Sequence, residues 1–266
     1  MRVLGFDFDV SLYRIMAIET EPMDAQKRYW RQRYDEAAAE SAEDYQVGRW
    51  ISRHYYAMVQ VTIRQALVPW QGERLRILDV CCGSGALLET LRDLGFSPVG
   101  MDISVGAIGR LKETQSRSGF PAVVADAARL PFDACTFDGV VSVGMLQCIK
   151  DLNAYFQELA RVLPDTRARL LVLFSPTSVL VRYRRLRRRR TDPDMAHYVL
   201  HSPRAVRNAL RAAGFRQVDT RHHFYIFYAP LLRPLLRFLN LHPRLGRLLA
   251  PFATSTIVLA TRSRLS

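Results

Sequence analysis

The sequence lacks the features that mark membrane-spanning, secreted and zinc-stabilised proteins. No window of about 18 residues is free of charge, so we expect no helix that crosses a bilayer. We also expect no secretory signal, because the first residues do not join a basic segment to an apolar run. The four cysteines show no C-x-x-C spacing, which argues against zinc and against a disulfide framework. No metal is predicted, and a reducing, cytoplasmic setting fits best.

Acidic side chains are also in the minority. The chain carries 38 Lys and Arg residues against 25 Asp and Glu, which gives a net charge of +13 and a pI of about 10.1. Such a surplus favours anionic partners, whether phosphate, nucleic acid or an anionic membrane face, without choosing among them. At 266 residues and 49% hydrophobic content, the chain is long and apolar enough to bury one α/β core with additions.

The N-terminal region does not share the pattern of the rest. Residues 1–22 form an ambiguous arm, in which Phe6-Asp-Phe-Asp-Val-Ser-Leu12 alternates like a strand. Asp24 is a suitable cap for a helix that starts at Ala25, and residues 49–68 are amphipathic. The region is rich in Tyr and Trp, which leaves two interpretations: packing against the core, or a lid over a cofactor and an apolar substrate.

From residue 75 onward, apolar strands alternate with helices. The predicted strands are 75–80, 97–101, 122–125, 137–143, 168–174 and 215–220, and the predicted helices are 86–94, 105–117, 152–163 and 203–214. This alternation predicts a doubly wound parallel sheet, in which ligands bind at the carboxyl ends of the strands. An arginine-rich stretch at 175–201 and a Leu-, Pro- and Arg-rich stretch at 224–250 interrupt it. A last strand at 254–260 is expected antiparallel at the sheet edge.

Chemistry-bearing residues cluster at the ends of the first three predicted strands. The stretch Asp79-Val-Cys-Cys-Gly-Ser-Gly85 links a strand to a helix, a geometry that brings backbone N–H groups close to a ligand. Asp102 lies about 20 residues beyond this loop, where a carboxylate typically binds ribose hydroxyls. Asp126, at the next strand end, can accept from the exocyclic amine of adenine. Ala86-Leu-Leu88 supplies no third glycine for a pyrophosphate, which favours a nucleoside cofactor without phosphates over NAD.

These motifs resemble those of class I S-adenosylmethionine-dependent methyltransferases, in the group that includes ubiquinone and menaquinone C-methyltransferases. The resemblance covers roughly residues 75–175, and its motifs are Asp79-Val-Cys-Cys-Gly-Ser-Gly85, Gly100-Met-Asp-Ile-Ser104, Ala125-Asp-Ala127 with Leu130-Pro-Phe132, and Phe137-Asp-Gly-Val140 with Met145-Leu-Gln147. It implies a Rossmann-like fold, an α/β doubly wound, mostly parallel sheet of seven strands, with a helical N-terminal extension and two insertions. It divides the chain into an arm and helical lid at 1–70 and a methyltransferase domain at 71–266.

The resemblance also implies S-adenosyl-L-methionine as the cofactor and gives roles to the residues around it. Gly83 and Gly85 would let the backbone approach the methionine part, and Asp79 would place its ammonium group. Cys81 departs from the pattern, since many relatives have glycine there, and we expect slightly less room beside the methionine part. The expected cofactor-binding residues are Asp79, Cys81, Gly83, Gly85, Met101, Asp102, Ile103, Asp126, Ala127, Val143 and Leu146. Among them, Met101 and Ile103 would flank the adenine ring.

A general base is not evident in the sequence. Methyl transfer from a sulfonium is an in-line displacement, for which positioning of the acceptor can supply most of the catalysis. If the acceptor atom needs a base, the weak candidates are Tyr34, His197 and His201. Further candidates are His54, His222, His223 and Tyr198.

The acceptor is inferred from the additions to the domain. Seven arginines lie between residues 182 and 190 with Tyr183 as the one aromatic residue among them, which argues mildly against stacking on single-stranded RNA. The aromatic N-terminal helices and the Leu-rich second insertion favour a hydrophobic small molecule, such as a quinone, isoprenoid, lipid or polyketide-like compound. Arginines beside apolar residues also suit a peripheral contact with an anionic membrane. The alternatives are an RNA methyltransferase that uses the arginine-rich insertion and a non-catalytic S-adenosylmethionine-binding protein.

Overall fold

A computed structural model describes residues 24–40, 53–114, 119–188, 190–223 and 247–262 of the chain. Within these ranges, seven strands form one sheet in the order β3-β2-β1-β4-β5-β7-β6. The strands are β1 (Arg76–Val80), β2 (Ser97–Asp102), β3 (Ala122–Val124), β4 (Gly139–Val143), β5 (Arg169–Phe174), β6 (Gln217–His223) and β7 (Ser255–Thr261). Strands β1 to β5 are parallel, and β7 runs antiparallel to β5 and β6. The predicted fold class, a mostly parallel, doubly wound α/β sheet, is confirmed.

The helices follow the predicted order, and local capping explains where several of them begin. They are α1 (Ala25–Glu40), α2 (Arg53–Leu67), α3 (Ala86–Asp93), α4 (Val105–Thr114), α5 (Leu152–Arg161), α6 (Val179–Arg188) and α7 (Pro203–Ala212). Ser104 caps α4 by accepting from Ala107 N at 2.9 Å, and Ser202 caps α7 by accepting from Ala205 N at 3.1 Å.

Helix α6 is an element that the sequence pattern does not predict. It lies in the segment 175–201, where arginines outnumber apolar residues between positions 182 and 190 and no apolar stripe of the helix is buried. The helix begins where Ser178, which is buried, accepts from Val181 N through its hydroxyl at 3.2 Å. A short 3₁₀ turn at Pro193–Ala196 follows it.

The last strand is antiparallel, as predicted, but its predicted place at the sheet edge is wrong. Strand β7 lies between β5 and β6, and β6 forms the edge. The reason is composition, because β7 carries buried Ile257, Val258 and Ala260, which need cover on both sides. Strand β6 is more polar and largely half-exposed, which suits an edge.

Both faces of the sheet are covered by apolar side chains. Along β1, Leu78 and Val80 belong to a cluster shared with α5 and α7, whereas Ile77 packs on the opposite face against α2 and α3. This alternation fixes the register of β1 and thereby the position of Asp79 near its carboxyl end. The arm at 1–22, nearly all of the insertion at 224–250 and the side chain of His54 lie outside the described residues.

Candidate active site

The loop after β1 combines three residues with left-handed backbone. Gly83 has φ 55° and Gly85 has φ 87°, in the region that favours glycine. A Cβ at Gly85 would come within 2.7 Å of Leu111 Cδ1, so this position has no room for a side chain. Cys81 adopts φ 63°, which costs a non-glycine residue about 1–2 kcal/mol. This strain explains why glycine suits the Cys81 position in the family that the motif resembles.

Asp102 links the loops that follow β1 and β2. Its Oδ2 accepts from Gly83 N at 3.0 Å and its Oδ1 accepts from Ser104 N at 2.9 Å. Burial raises the pKa of this carboxyl, while these backbone hydrogen bonds oppose the shift. A carboxylate has about four lone-pair sites, so Asp102 can still accept from a further donor such as a ribose hydroxyl.

Asp79 is the most unusual acid of the site. It is 2% exposed, and its Oδ2 atom has no hydrogen-bond partner among the described residues. Burial, together with nearby Asp102, raises the pKa of the Asp79 carboxyl well above its usual range. A buried acceptor without a partner costs about 1–3 kcal/mol, so a ligand that brings a donor would be stabilised here. The α-ammonium group of S-adenosylmethionine is a donor of this kind, and the residues present fit it.

A cavity of about 320 Å³ lies at the carboxyl ends of the parallel strands, within the size range of small-molecule sites. Seven of the predicted cofactor residues line it: Asp79, Cys81, Asp102, Ile103, Asp126, Ala127 and Val143. Gly83 and Gly85 shape the loop beneath it. We call the loops 81–85, 102–104 and 125–127 the floor.

Besides Gly83 and Gly85, two of the predicted cofactor residues are not among those that line the cavity. Met101 and Leu146 are 0% and 1% exposed and belong to the hydrophobic core. Neighbouring strand residues point to opposite faces, so the side chain of Met101 faces the core while Asp102 faces the cavity. Of the two residues expected beside the adenine ring, the structure brings Ile103 alone to the cavity wall.

Helices α1 and α6 and the turn Pro193–Ala196 lie over the other side of the cavity, and we call them the roof. Tyr29 Oη donates to Asp194 Oδ1 at 2.5 Å, and Arg33 Nε donates to the same oxygen at 2.9 Å. The Tyr29 ring stacks on His197 with centroids 3.6 Å apart. Asp194 is fully buried, so these contacts join α1 firmly to the turn.

The roof also contacts the floor. Lys27 Nζ on α1 lies 2.5 Å from Asp126 Oδ2, which places a cation beside the acid expected to accept from adenine. Asp35 Oδ1 accepts from Ser104 Oγ at 2.6 Å and from Gly106 N at 2.9 Å. Helix α1 therefore packs on the core and covers the cavity at once, so the two interpretations of the N-terminal helices are compatible.

The candidates for a general base are dispersed. His197 stacks on Tyr29, and His201 Nε2 lies 2.8 Å from Ile149 O, so both rings are engaged away from the cavity wall. His222 and His223 lie on β6, and burial lowers the pKa of His223 to about 4. Among the described residues that line the cavity there is no histidine.

Tyr34 and Tyr198 do line the cavity, together with residues that the sequence analysis did not single out. Burial raises the pKa of Tyr198 above its usual range and that of Cys148 to about 12, so both stay neutral. Arg184, Arg185 and Arg188 reach the same cavity from α6. Together with Val181 they form a stripe at helical spacing, a signal visible in the sequence once α6 is known to be a helix.

The glycine loop, the acids at strand ends and the sheet order define an α/β protein with a site for a phosphate-free nucleoside cofactor. Residues 50–220 match the family model of a methyltransferase domain. The match covers more than half of the chain, and the chain belongs to this family. The predicted class, a class I S-adenosylmethionine-dependent methyltransferase, is thereby confirmed.

Similar proteins act on different acceptors. The chain is 36% identical over 113 residues to a 2-phytyl-1,4-naphtoquinone methyltransferase of Nostoc punctiforme. This match covers 40% of this chain and 49% of that protein. It is 33% identical over 94 residues to an 18S rRNA (guanine-N(7))-methyltransferase of Schizosaccharomyces pombe, covering 31% of this chain and 35% of that protein. The matches thus span half or less of these relatives.

A solved structure shares the fold. The magnesium protoporphyrin IX methyltransferase of Synechocystis, with bound SAH, covers 90% of this chain and 100% of its own, with a TM-score of 0.61 and 18% identity. At this identity the likeness shows the fold.

Proposed function

We propose that this chain binds S-adenosylmethionine in the cavity and transfers its methyl group to a hydrophobic small molecule, such as a quinone, isoprenoid or lipid. The observation that carries the proposal is that Asp79 lines the cavity and that its buried Oδ2 has no hydrogen-bond partner among the described residues. The cofactor ammonium would supply the missing donor.

The floor residues would hold the rest of the cofactor. Asp102 can still accept from a ribose hydroxyl, and Ile103 and Ala127 offer apolar surface to the adenine ring. Asp126 already accepts from Lys27 Nζ at 2.5 Å and from Ala128 N at 2.9 Å. An adenine amine would therefore be a third donor at this carboxylate, which has room for it.

The acceptor would lie under the roof. The cavity wall there is apolar and aromatic, and its residues include Trp30, Tyr34, Met145, Ile149, Phe174, Met195 and Leu200. Such a wall excludes water and fits an apolar ring or chain better than a polynucleotide. S-adenosylmethionine supplies an already activated methyl group. The chain's own part is to align the acceptor, which can contribute about 7–11 kcal/mol to lowering the barrier.

A second part of the proposal is a peripheral contact with an anionic membrane. The outer face of α6 exposes Val179, Tyr183 and Leu186 by 59%, 58% and 71%. Arg182 and Arg187 are exposed on the same helix. Apolar side chains flanked by arginines suit the interface of an anionic bilayer. No helix among the described residues is long and apolar enough to cross a membrane.

The first test is calorimetric titration of S-adenosylmethionine into the chain. Binding is expected for the native chain and strongly weakened binding for Asp102→Ala, and no heat for the native chain would contradict the proposal. A methyl-transfer screen of lipid extract against RNA follows. Transfer to RNA with a steep salt dependence would instead support an RNA methyltransferase. This alternative is retained because the chain is similar to the rRNA methyltransferase of Schizosaccharomyces pombe. Cofactor binding without transfer would support a non-catalytic binding protein.

The membrane contact is tested separately by co-sedimentation with vesicles. We expect the chain to sediment with phosphatidylcholine vesicles that contain phosphatidylglycerol more than with pure phosphatidylcholine. The double substitution Arg182→Glu and Arg187→Glu should release it. Equal sedimentation with both vesicle types would contradict the contact. A cytoplasmic location stays a prediction from the sequence.

A further inference from the structure

Helix α6 presents two different faces, and the face toward the cavity is the basic one. Val181, Arg184, Arg185 and Arg188 line the cavity and are half-buried. Arg182, Tyr183, Leu186 and Arg187 are exposed on the other side of the helix. Three arginine side chains therefore line the space in which the acceptor would lie, although solvent is available on the opposite face.

The charges of Arg185 and Arg188 are not matched by acids among the residues that the structure describes. No carboxylate lies within ion-pair distance of Arg185 or Arg188 in the part of the chain that the structure describes. Two acids of the cavity are engaged elsewhere: Asp126 pairs with Lys27 Nζ, and Asp102 accepts from backbone N–H groups of the floor. Asp192, the acid nearest in sequence to α6, accepts from Asp194 N at 3.1 Å and caps the 3₁₀ turn.

Such an arrangement is unfavourable without an anion. Like charges close together on a helix repel each other, and partial burial removes water that would screen them. A guanidinium group donates two parallel hydrogen bonds to a carboxylate or phosphate, so adjacent arginines form a strong oxyanion site. An anionic group bound here would relieve the repulsion and would be held at one end of an otherwise apolar wall.

We propose that Arg185 and Arg188 form an oxyanion subsite that receives a phosphate or carboxylate group of the methyl acceptor. This inference rests on the proposed function and narrows its substrate class to amphipathic molecules with an apolar body and an anionic group. The floor holds the cofactor, the aromatic roof covers the apolar body, and α6 fixes the anionic end. The subsite thereby sets which part of the acceptor faces the floor.

The subsite is tested by calorimetric titration of three probes: 1-naphthyl phosphate, 1-naphthoate and neutral 1-naphthol. Each is titrated into the full chain, with and without S-adenosylmethionine. The native chain should bind the phosphate at least tenfold more tightly than naphthol, with the carboxylate between them. The double variant Arg185→Gln and Arg188→Gln should lose this preference, because it removes two guanidinium groups and keeps much of the side-chain volume.

The matched control is Arg182→Gln with Arg187→Gln. It removes the same charge from the same helix on the exposed face and should keep the preference for the phosphate probe. Equal loss in both double variants would show that net charge alone attracts the probe, and the subsite would be refuted. Melting temperatures of both variants check that the helix remains folded.

Two further arms separate the remaining explanations. If Arg185→Gln with Arg188→Gln weakens S-adenosylmethionine as much as naphthyl phosphate, the arginines serve the cofactor carboxylate and the subsite is refuted. Failure of the proposed function is distinct, because the probe preference without cofactor would persist while S-adenosylmethionine gave no heat. Vesicles containing phosphatidic acid distinguish the source of the anion. Binding of the vesicles but not of naphthyl phosphate would place the anion on a bilayer surface and refute a subsite inside the cavity.

Discussion

The floor and the roof of the cavity are built on different principles. The floor consists of short loops whose polar groups bond to backbone, as Asp102 does with Gly83 and Ser104. The elements of the roof are joined by side chains that are far apart in sequence. Tyr29, for example, donates a hydrogen bond to Asp194, which lies 165 residues further along the chain. The floor loops follow directly after strands of the sheet, whereas the roof depends on contacts between distant segments. Under the proposed function, cofactor binding would depend on local sequence and acceptor choice on tertiary contacts.

The largest expected effect concerns the backbone of the floor. Gly85→Ala should lower the free energy of unfolding by about 2–4 kcal/mol, since it adds a Cβ 2.7 Å from Leu111 Cδ1 to a left-handed residue. Cofactor binding should be lost with it. Gly72→Ala is the matched control, because Gly72 also has a left-handed φ of 93° but a Cβ added there would meet no atom within 4 Å. Urea unfolding of both variants separates the steric clash with Leu111 from the backbone strain that both positions share. Equal losses of unfolding free energy in the two variants would show that the floor is not tightly packed.

The second prediction concerns the charge of the floor. Asp79→Asn should weaken S-adenosylmethionine binding by roughly ten- to a hundredfold, the value of a hydrogen bond to a charged group. Burial raises the pKa of Asp79 in the free chain, and a bound ammonium would lower it again. Binding should therefore release a proton and tighten as pH rises through the raised pKa. Titrations in buffers of different ionisation enthalpy measure this release, which should vanish in Asp79→Asn.

Asp79→Asn should weaken cofactor binding but stabilise the chain without cofactor. A raised pKa in the folded chain means that the folded state holds a proton that the unfolded state has lost, so stability falls as pH rises through that range. Asp79→Asn should remove this slope and stabilise the unliganded chain at pH 8. Asp133→Asn, at an exposed loop position, is the control. A variant that loses both cofactor and stability would show that Asp79 is structural.

The contrast between the two regions also explains what the sequence could predict. Strands β1 to β5 and the acids Asp79 and Asp102 follow from local periodicity and a short motif, so both were predictable within a few residues. The position of β7 inside the sheet depends on which strand tolerates an exposed edge, which is a tertiary property. The burial of the Met101 side chain in the core was not foreseen, because a motif gives spacing along a strand but not the face to which a side chain turns.

The roof could not be predicted in the same way. The apolar residues of α6 at helical spacing, Val179, Tyr183 and Leu186, are exposed and do not mark a face that packs on the core. The pairing of Tyr29 and Arg33 with Asp194 joins segments more than 160 residues apart. Aromatic residues in α1 indicated a buried surface, but not that His197 and Tyr198 would be their stacking partners. A single sequence shows the polar and aromatic residues that make such contacts, but it does not show which of them pair with one another.

A smaller effect tests whether the roof can move independently of the floor. Tyr29→Phe removes the hydroxyl donor to Asp194 and keeps the ring that stacks on His197. We expect a loss of about 1 kcal/mol, the net value of one hydrogen bond. Hydrogen exchange should accelerate in α1 and stay unchanged in β1, because the contact lies in the roof. Tyr183→Phe, at an exposed position of α6, is the control, and equal acceleration in β1 would show that roof and floor open together.

The smallest expected effect concerns Cys81, the residue of the floor that departs from the family motif. Its φ of 63° strains any side chain, while its thiol contacts the thioether of Met145. Cys81→Gly should be more stable than Cys81→Ala by about 0.5–1 kcal/mol, because glycine relieves the strain and offsets part of that gain through its unfolded-state entropy. Cys135 has φ 56° at an exposed loop position, so Cys135→Gly and Cys135→Ala should differ by the same amount. Thermal unfolding of the four variants measures both differences. Only the two Cys81 variants should change cofactor affinity, because Cys81 lines the cavity and Cys135 does not. An equal change in the Cys135 variants would show that the effect on affinity comes from global stability.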